Sequence, residues 1–258
     1  MVFMKIDVVA APGFLQDEQL HGQLCAVVDV LRATSTIIVA LASGALEVRP
    51  CMDAAEARQC AAGLGKGRFL LGGEEKGQRI PGFDLGNSPL EYLPTETIAG
   101  KILLLSTTNG SGTIRKAHVA SGLPVYIAAL LNASAVSLAI MKAAISTSIG
   151  GIAIICSGRC GQPADEDFFC AGLLADQVSM TLLAAGIEHE LTDGARIAAA
   201  FAQAKRESAL SVLRESEHGR YLKSIGFAED IDFASALDRY DITPVFDGER
   251  IVLANSKP

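Results

Sequence analysis

Three segments of the chain repeat one order of hydrophobic and polar positions. In each segment a short apolar run is followed by a loop of small polar residues and then by an Ala-rich stretch with helical spacing. The apolar runs are Leu24–Val30, Ile102–Leu105 and Ile152–Cys156. Short apolar runs bounded by turn residues predict buried strands, and strands that alternate with helices predict a mostly parallel sheet covered on both faces.

Helix and turn signals extend this pattern. Gly44 and Gly122 follow the first two predicted helices, at the position where helix C-termini favour glycine, and an extended segment follows each of them. In the tail, the Asp-Gly pair at 247–248 predicts the turn of a hairpin. Asp193 and Asp230 are predicted to cap helices in the more charged last third of the chain.

The segment 63–94 differs from the rest because it is rich in Gly and polar residues, with one short strand predicted at Phe69–Leu71. A loop of this length is usually functional or disordered, and its mix of acids, Asn and Ser favours a function. No linker divides the chain. We therefore predict one α/β domain over residues 1–258, in which the first two units indicate two loosely similar halves.

The composition excludes several classes of protein. Half of the residues are hydrophobic and 20% are charged, which excludes a chain disordered by composition. Only 5% are aromatic, so the core must be built from small aliphatic side chains, which suits closely packed α/β layers. The net charge is −7 and Lys and Arg form no cluster, so we expect no nucleic-acid partner, whereas a small anionic substrate is compatible.

The stretch Val119–Gly158 carries one charged residue, Lys142, and is long enough to cross a membrane. Pro124, Asn132 and a Ser/Thr/Gly cluster at 146–151 interrupt it, so a buried strand, helix and strand are the better interpretation and we expect no membrane partner. The same stretch could hold a subunit interface, and a homodimer is the corresponding expectation. The N-terminal apolar run is too short for an export signal and the cysteines are spread out, so we expect a cytoplasmic protein with reduced thiols.

A polar loop follows each of the three predicted strands and precedes a helix N-terminus. Ligands of open α/β sheets bind outside the carboxyl ends of the strands, and helix N-termini bind anions. In the first loop, Asp29 ends an apolar run, Arg32 could clamp an anion, and Thr34 and Ser35 add hydroxyl groups. The alternative is structural: Thr34 or Ser35 caps the helix while Asp29 and Arg32 pair with each other.

The second loop offers Thr108, Asn109 and Gly110 as sources of hydroxyl, amide and backbone N–H groups, and it lacks the pattern of a P-loop. Its alternative is a tight turn with a capping residue. The third loop carries Arg159 and then the acids 165–167, including Asp167. For these acids, the alternative is a favourable interaction with the dipole of the helix that follows.

The segment 63–94 adds Glu74, Asp84, Asn87 and Ser88, for which a solvated loop is the alternative. Acids, amides and hydroxyls that converge with an arginine would suit Mg²⁺ and a phosphorylated substrate, because Mg²⁺ prefers hard oxygen ligands and often bridges a phosphate. His218 lies in a charged helical stretch, where a surface or helix-end histidine is the favoured interpretation.

Several motifs together resemble one family, the 2-phosphosulfolactate phosphatases (ComB family) of coenzyme M biosynthesis. They occur in family order over roughly residues 22–250: VVDVLRATSTI, LLGGE, GFDLGNSPLEY, TTNG, NASAV, EDFFCAGL, ESEHGRYL and LDRYDITPVF. The resemblance implies a three-layer α/β/α fold with a mostly parallel or mixed sheet. It also implies a Mg²⁺-dependent phosphatase that converts 2-phospho-3-sulfolactate to 3-sulfolactate and phosphate.

We therefore expect Mg²⁺-assisted hydrolysis of a small anionic phosphomonoester. The expected metal ligands are Asp29, Glu74, Asp84 and Asp167, and the expected catalytic residues are Asp29, Arg32 and Asp167. The expected substrate contacts are Arg32, Thr34, Ser35, Asn87, Ser88, Thr108, Asn109, Gly110 and Arg159. Three alternatives stay open: a covalent route with Asp29 as nucleophile, another 2-phospho-hydroxyacid as substrate, and a non-catalytic anion-binding module on the same fold.

Overall fold

The structure, a computed structural model of the chain, describes residues 3–254, and the predicted domain bounds at 1 and 258 lie outside them. Its strands are β1 Met4–Val9, β2 Leu24–Val28, β3 Glu47–Cys51, β4 Phe69–Glu75, β5 Gln78–Arg79, β6 Ile102–Ser106, β7 Val125–Ala128, β8 Gly151–Cys156, β9 His189–Leu191, β10 Pro244–Phe246 and β11 Ile251–Leu253. Its α-helices are α1 Asp17–Leu20, α2 Ala33–Ala42, α3 Ala54–Ala62, α4 Thr95–Ile98, α5 Gly110–Ser121, α6 Ala133–Thr147, α7 Asp165–Ala184, α8 Asp193–Lys205, α9 Ala209–Glu215, α10 Glu217–Ser224 and α11 Ala228–Ala234.

Within the described residues the eleven strands form one mixed sheet, in the order β5-β4-β6-β3-β11-β10-β7-β2-β8-β1-β9. Two parallel blocks, β4-β6-β3 and β7-β2-β8-β1-β9, are joined by the antiparallel hairpin β10-β11. The hairpin is also antiparallel to β3, through Ile251 and Val48, and to β7, through Val245 and Tyr126. The two parallel blocks therefore run in opposite directions along the sheet.

The twist of the sheet partly compensates for the opposite directions of the two blocks. Neighbouring strands are rotated by about 20–25°, so the five steps from β2 to β6 rotate one block by roughly 100–125° relative to the other. The carboxyl ends of β2 and β6 can then approach each other over one face of the sheet. The approach is close: a Cβ built on Gly110, at the start of α5, would lie 2.5 Å from the Cβ of Ala33, at the start of α2.

Strand β2 shows why the apolar runs are continuous. Leu24, Ala26 and Val28 join the core that contains α6, α7 and α8, whereas Cys25 and Val27 join the core that contains α2 and α5. Successive side chains of a strand point to opposite faces, so a strand covered on both faces needs apolar residues at every position. The fold class is confirmed: helices flank a mixed, mostly parallel sheet.

The predicted strand–loop–helix units are present with shifted bounds. Strand β2 ends at Val28, so Asp29 opens the loop, and α2 already begins at Ala33, inside the predicted polar loop. The short strand predicted at Phe69–Leu71 is the beginning of the seven-residue β4. The hairpin at 247–248 is confirmed, but it lies in the middle of the sheet.

Two predicted helix caps are wrong. At the start of α8 the side chain of Thr192, and not that of Asp193, accepts the backbone N–H of Ala195. Asp230 lies inside the first turn of α11, and its buried carboxylate binds Arg32. Sequence spacing therefore located both helix starts but not the groups that satisfy their backbone.

Two helical segments, Leu130–Thr147 and α7, are long and apolar enough to cross a membrane by length and composition alone. About half of each is buried within the fold, 50% and 56% respectively, and a helix of a packed core meets the same criterion. The stretch Val119–Gly158 forms β7, α6 and β8, as its interpretation as a buried strand, helix and strand requires.

Helix α7 packs closely against α8 at Gly172. A Cβ at this position would lie 2.0 Å from the carbonyl oxygen of Ala198. We expect Gly172→Ala to lower the free energy of unfolding by about 1–3 kcal/mol, because the two helices must separate to admit a methyl group. Chemical denaturation measures this loss.

Gly112→Ala, in α5, is the matched control. A Cβ there would make an ordinary contact of 3.7 Å with the Cε of Met52. The higher helix propensity of alanine should leave stability unchanged or raise it by up to about 1 kcal/mol. Equal losses in the two variants would contradict the role given to close helix packing.

Candidate active site

The carboxylate of Asp29 lies where the loops after β2 and β6 meet. Asp29 is 6% exposed, and its Oδ1 accepts the backbone N–H of Ala33 at 3.1 Å. A Cβ on Gly110 would lie 2.8 Å from Asp29 Oδ2. Glycine at 110 therefore allows the N-terminus of α5, the positive end of its dipole, to approach this carboxylate.

Glu74 joins the 63–94 segment to the loop after β6. Its Oε2 accepts the backbone N–H of Gly77 at 2.6 Å, and its Oε1 accepts that of Thr108 at 2.8 Å. The Glu74 residue is 9% exposed. Hydrogen bonds to an ionised carboxylate are stronger than neutral ones, so Glu74 holds these two loops in a fixed relation.

Asp167, in the first turn of α7, ties the loop after β8 to the loop after β2. Its Oδ1 accepts the backbone N–H of Val30 at 2.8 Å, and its Oδ2 accepts that of Gly158 at 2.9 Å. Both oxygens therefore already have backbone donors, and the residue is only 2% exposed. The side chain holds the Asp29 loop in place.

Two of these buried carboxylates, Asp29 and Asp167, have raised pKa values. Burial raises the pKa of Asp29 to about 6; the nearby carboxylates of Glu74 and Glu166 add to the rise, while a backbone N–H and His218 oppose it. Burial also raises the pKa of Asp167 well above its usual range, with further contributions from Asp29 and Glu166. A cation placed among these side chains would favour their ionised forms.

Arg32 is held by three groups from other parts of the chain. Its Nη1 donates to Asp230 Oδ2 at 2.6 Å, and its Nη2 donates to the carbonyl oxygen of Gly77 at 2.7 Å. The guanidinium carbon lies 4.2 Å from the centre of the Phe227 ring. Asp230 also accepts the hydroxyl of Ser88 at 2.6 Å. The partner of Arg32 is therefore Asp230 and not Asp29.

A small inner cavity of about 20 Å³, enough for one water-sized ligand, lies among these groups. The polar side chains on its wall are those of Asp29, Arg32, Glu74, Asn87, Thr107, Asn109 and His218. The Oδ1 atom of Asn87 is buried and has no hydrogen-bond partner among residues 3–254. A buried acceptor without a partner costs free energy, and Asn87 is the wall residue that carries one.

A larger outer cavity of about 430 Å³ adjoins the inner one. The two share Glu74, Gly77, Asn109 and His218. Lys76 and Arg159 place positive charge on the outer wall, and the Arg159 guanidinium carbon lies 4.9 Å from the centre of the Tyr221 ring. The outer cavity is large enough for a small phosphorylated acid, and the inner cavity is not.

Seven of the thirteen predicted site residues lie on these two walls. Gly110 lies beside Asp29 at the start of α5, and the other five lie behind or away from the walls. Thr34 and Ser35 donate their hydroxyl protons to backbone carbonyls of their own loop, at 2.8 and 2.7 Å. Ser88 donates its buried hydroxyl proton to Asp230. Asp167 accepts two backbone N–H groups with its buried carboxylate. Asp84 is exposed, and its Oδ2 accepts a backbone N–H at 2.8 Å. Direct binding or catalytic roles for these five stay predictions.

Sequence reasoning missed His218, Asp230 and Thr107. His218 lines both cavities, and it lies within the ESEHGRYL motif that supported the family resemblance, so a signal was present. Asp230 was predicted only as a helix cap and gave no local signal for its pairing, because its partner Arg32 is 198 residues away. Thr107 lies beside the predicted Thr108, and the two differ because Thr107 is buried against the cavity.

The residues present fit Mg²⁺ held by few side chains. Within residues 3–254 no group of three or more His, Cys, Asp or Glu side chains is arranged to hold a metal ion. Mg²⁺ does not need such a group, since it keeps several waters and binds through one or two carboxylates and a substrate phosphate. Asp29 and Glu74 offer carboxylate oxygens on the wall of the inner cavity, and the amide of Asn87, on the same wall, holds an oxygen without a partner.

Comparison with known proteins identifies the family of this chain. A family model described as 2-phosphosulpholactate phosphatase matches residues 10–249, a range that includes every residue on the walls of the two cavities. The chain belongs to the 2-phosphosulfolactate phosphatase family. The family resemblance inferred from the motifs is thereby confirmed.

Relatives in this family match over nearly their whole length, and three of them are each described as a probable 2-phosphosulfolactate phosphatase. The relative from Pseudothermotoga lettingae is 38% identical over 93% of this chain and 96% of its own. The relative from Clostridium beijerinckii is 34% identical, over 96% and 99%. The relative from Symbiobacterium thermophilum is 38% identical, over 92% and 96%.

The buried pair of Arg32 and Asp230 should be costly to break, since both side chains are 2% exposed. Removal of one partner leaves a buried charge unpaired, so we expect Asp230→Ala to lower the free energy of unfolding by about 3–5 kcal/mol. Phosphatase activity should fall as well, because Arg32 loses its fixed position. Denaturant titration and a phosphate-release assay measure the two effects.

Asp232→Ala, on the same helix, is the control. The pair of Asp232 with Arg214 is about half exposed, with side chains 49% and 52% accessible. Its loss should cost less than about 1 kcal/mol. Similar losses in the two variants would show that burial does not set the value of the Arg32 pair.

Asp29→Asn should stabilise the metal-free chain at pH 8. The folded chain binds the Asp29 proton more tightly than the unfolded chain does, since the folded pKa is raised to about 6. Stability therefore falls as pH rises through the interval from about 4 to 6, by on the order of 2–3 kcal/mol. The amide removes this cost and keeps an oxygen for the Ala33 N–H.

Thermal melts in EDTA at pH 5 and pH 8 test this pH dependence. The gain in melting temperature from Asp29→Asn should be larger at pH 8 than at pH 5. An equal change at both pH values would show that Asp29 does not carry the buried charge.

Proposed function

We propose that this chain is a Mg²⁺-dependent phosphatase that hydrolyses 2-phospho-3-sulfolactate to 3-sulfolactate and phosphate, as in a cytoplasmic pathway of the coenzyme M type. The observation that carries the proposal is the inner cavity, where two carboxylates, an unpartnered amide oxygen, a buried arginine and a helix N-terminus surround one small space. Family membership supports the reaction class, and the cavity holds the groups that such a reaction uses.

The phosphoryl group is proposed to lie where the inner cavity meets the outer one, between Arg32 and the start of α5, because the inner cavity itself has space for one water-sized ligand. The first N–H groups of a helix have no partners within the helix and bind phosphate well. Asn109 lines the cavity at this end of α5, and Asp230 holds Arg32 opposite. Donors fixed in this way would stabilise the charge that the phosphoryl oxygens carry in the transition state.

Asp29, Glu74 and Asn87 are the side chains that would hold Mg²⁺. When bound, the ion would offset the negative charge of the phosphoryl oxygens. Asp29 would also accept a hydrogen bond from the attacking water and so orient it toward phosphorus. Asp167 acts in this proposal through the backbone, because its bond to the N–H of Val30 holds the Asp29 loop in position.

The outer cavity is proposed to take the rest of the substrate. A carboxylate and a sulfonate need cationic or N–H donors, and Arg159 and Lys76 supply positive charge there. Glu75 lies on the same wall, where its charge would repel a second anionic group. The position of Glu75 favours a second candidate function, the hydrolysis of a 2-phospho-hydroxyacid without a sulfonate, such as 2-phospholactate.

A substrate pair separates the two candidates. Phosphate release from 2-phospho-3-sulfolactate and 2-phospholactate would be measured with Mg²⁺ and with EDTA. We expect Mg²⁺-dependent release and a kcat/KM at least about tenfold higher for the sulfonate, from one added charge-assisted contact. Arg159→Met should remove the preference and lower 2-phospholactate turnover by a smaller factor than turnover of the sulfonate.

Equal turnover of the two substrates by the wild-type chain would favour the second candidate. A thermal melt gives a readout of the metal apart from activity: Mg²⁺ should raise the melting temperature of the wild-type chain and not that of Asp29→Asn. No release from any phosphomonoester, with or without Mg²⁺, would favour a non-catalytic anion-binding module.

A further inference from the structure

Glu166 has a buried carboxylate that the proposed reaction leaves without a role. It follows Asp165 in the first turn of α7 and is 1% exposed. Its Oε2 is buried and has no hydrogen-bond partner within residues 3–254, and its Oε1 lies 3.4 Å from Nδ1 of His218. A buried carboxylate is costly unless a partner stabilises it, and His218 is the titratable group in contact with it.

His218 is held rigidly on α10. The side chain of Ser216 accepts the N–H of Gly219 at 2.9 Å, which caps this helix. A Cβ on Gly219 would lie 1.8 Å from the carbonyl oxygen of Leu213, so α10 packs against the end of α9 without space for a side chain. His218 therefore faces the cavities from a fixed backbone.

The other ring nitrogen of His218, Nε2, has no protein hydrogen-bond partner in the part of the chain that the structure describes. The side chain lines the inner and outer cavities, so it lies at their boundary, where the phosphoryl group would join the rest of the substrate. A carboxylate beside Nδ1 keeps a proton on that nitrogen, which leaves Nε2 to exchange protons with a ligand.

We propose that His218 is the general acid of the phosphatase reaction and that Glu166 is its positioning residue. This inference rests on the proposed function and adds a proton donor to it. The 3.4 Å contact at Nδ1 agrees with such a role, because contacts that become catalytic hydrogen bonds are often long or poorly aligned before substrate binds.

Atoms and protons balance in this step. Water forms the new bond to phosphorus, and the bond between phosphorus and the substrate's C2 oxygen breaks with its electron pair on that oxygen. His218 Nε2 gives its proton to this oxygen, so that the product leaves as an alcohol. Both protons of the water stay on the phosphate, which leaves as H₂PO₄⁻, and His218 regains a proton from solvent.

The other side chains that the two cavities share, and the two arginines on their walls, do not supply that proton. Arg32 and Arg159 keep their protons throughout the working range of pH. Glu74 already accepts two backbone N–H groups, and Asn109 has no acidic proton. A secondary alkoxide is a strong base, and general acid catalysis of its departure contributes about 10²–10⁴-fold.

The dependence on the leaving group tests this role. An alkyl ester, 2-phospholactate, requires a proton on its leaving oxygen, whereas p-nitrophenyl phosphate releases a stable phenolate and does not. We expect His218→Asn to lower kcat on the alkyl ester by about 10²–10⁴-fold and on the aryl ester by less than about tenfold. Glu166→Gln should show a smaller loss with the same preference for the aryl ester.

His21→Asn and Glu215→Gln are the matched controls, because both residues are exposed and neither lines either cavity. Both controls should leave both rates unchanged. His218→Gln is measured alongside, and thermal melts identify variants that fold like the wild type, so that one misfolded variant does not decide the outcome.

Equal fractional losses on the alkyl and aryl esters, with an active wild type, would overturn the role of His218 alone. An unchanged alkyl rate in His218→Asn would do the same. A wild-type chain that releases phosphate from neither of these esters nor from 2-phospho-3-sulfolactate would overturn the proposed function and this inference with it.

Discussion

The site depends on the close contact between the carboxylate of Asp29 and the N-terminus of α5. The contact exists because residue 110 has no side chain, so that the loops after β2 and β6 can meet above the sheet. It joins two parallel blocks that run in opposite directions on either side of the hairpin β10-β11. A methyl group at 110 would separate the loops, and the carboxylate, the helix end and the inner cavity would lose their common position.

The loops are held together by side chains that bind the backbone of another loop. Glu74 accepts the N–H of Thr108, and Asp167 accepts the N–H of Val30. Backbone donors fix a carboxylate more firmly than a flexible side chain would, because the donor has no rotamers to lose. Arg32 is held in a different way, by a buried ion pair with Asp230. The site thus combines rigid walls with buried charge, which is how a protein pre-organises groups for catalysis at some cost in stability.

The sequence predicted the three strand–loop–helix units because a strand covered on both faces must be apolar throughout, and its end is marked by the first polar residue. The same logic identified Asp29 and Asn109. It could not predict that the two blocks oppose each other, because the Asp-Gly turn at 247–248 specifies a hairpin and not its neighbours. The roles of Asp230 and His218 were not predicted either, since they depend on contacts with residues far away in the chain. Asp230, for example, pairs with Arg32 across 198 residues. Local sequence patterns predict local structure, whereas contacts between residues far apart in the chain are known only from the folded structure.

The hairpin β10-β11 has a consequence for how the chain folds as it is made. It is the last strand pair along the described chain, yet it fills the middle of the sheet. Synthesis proceeds at about 5–20 residues per second, so β3 and β7 emerge from the ribosome well before the strands that pair with them. Until then, each is an open edge with unpaired backbone groups, which invites pairing with other chains. Two half-sheets therefore stay unjoined until the hairpin is made, and protection of their edges by a chaperone would matter most just before β10 and β11 emerge.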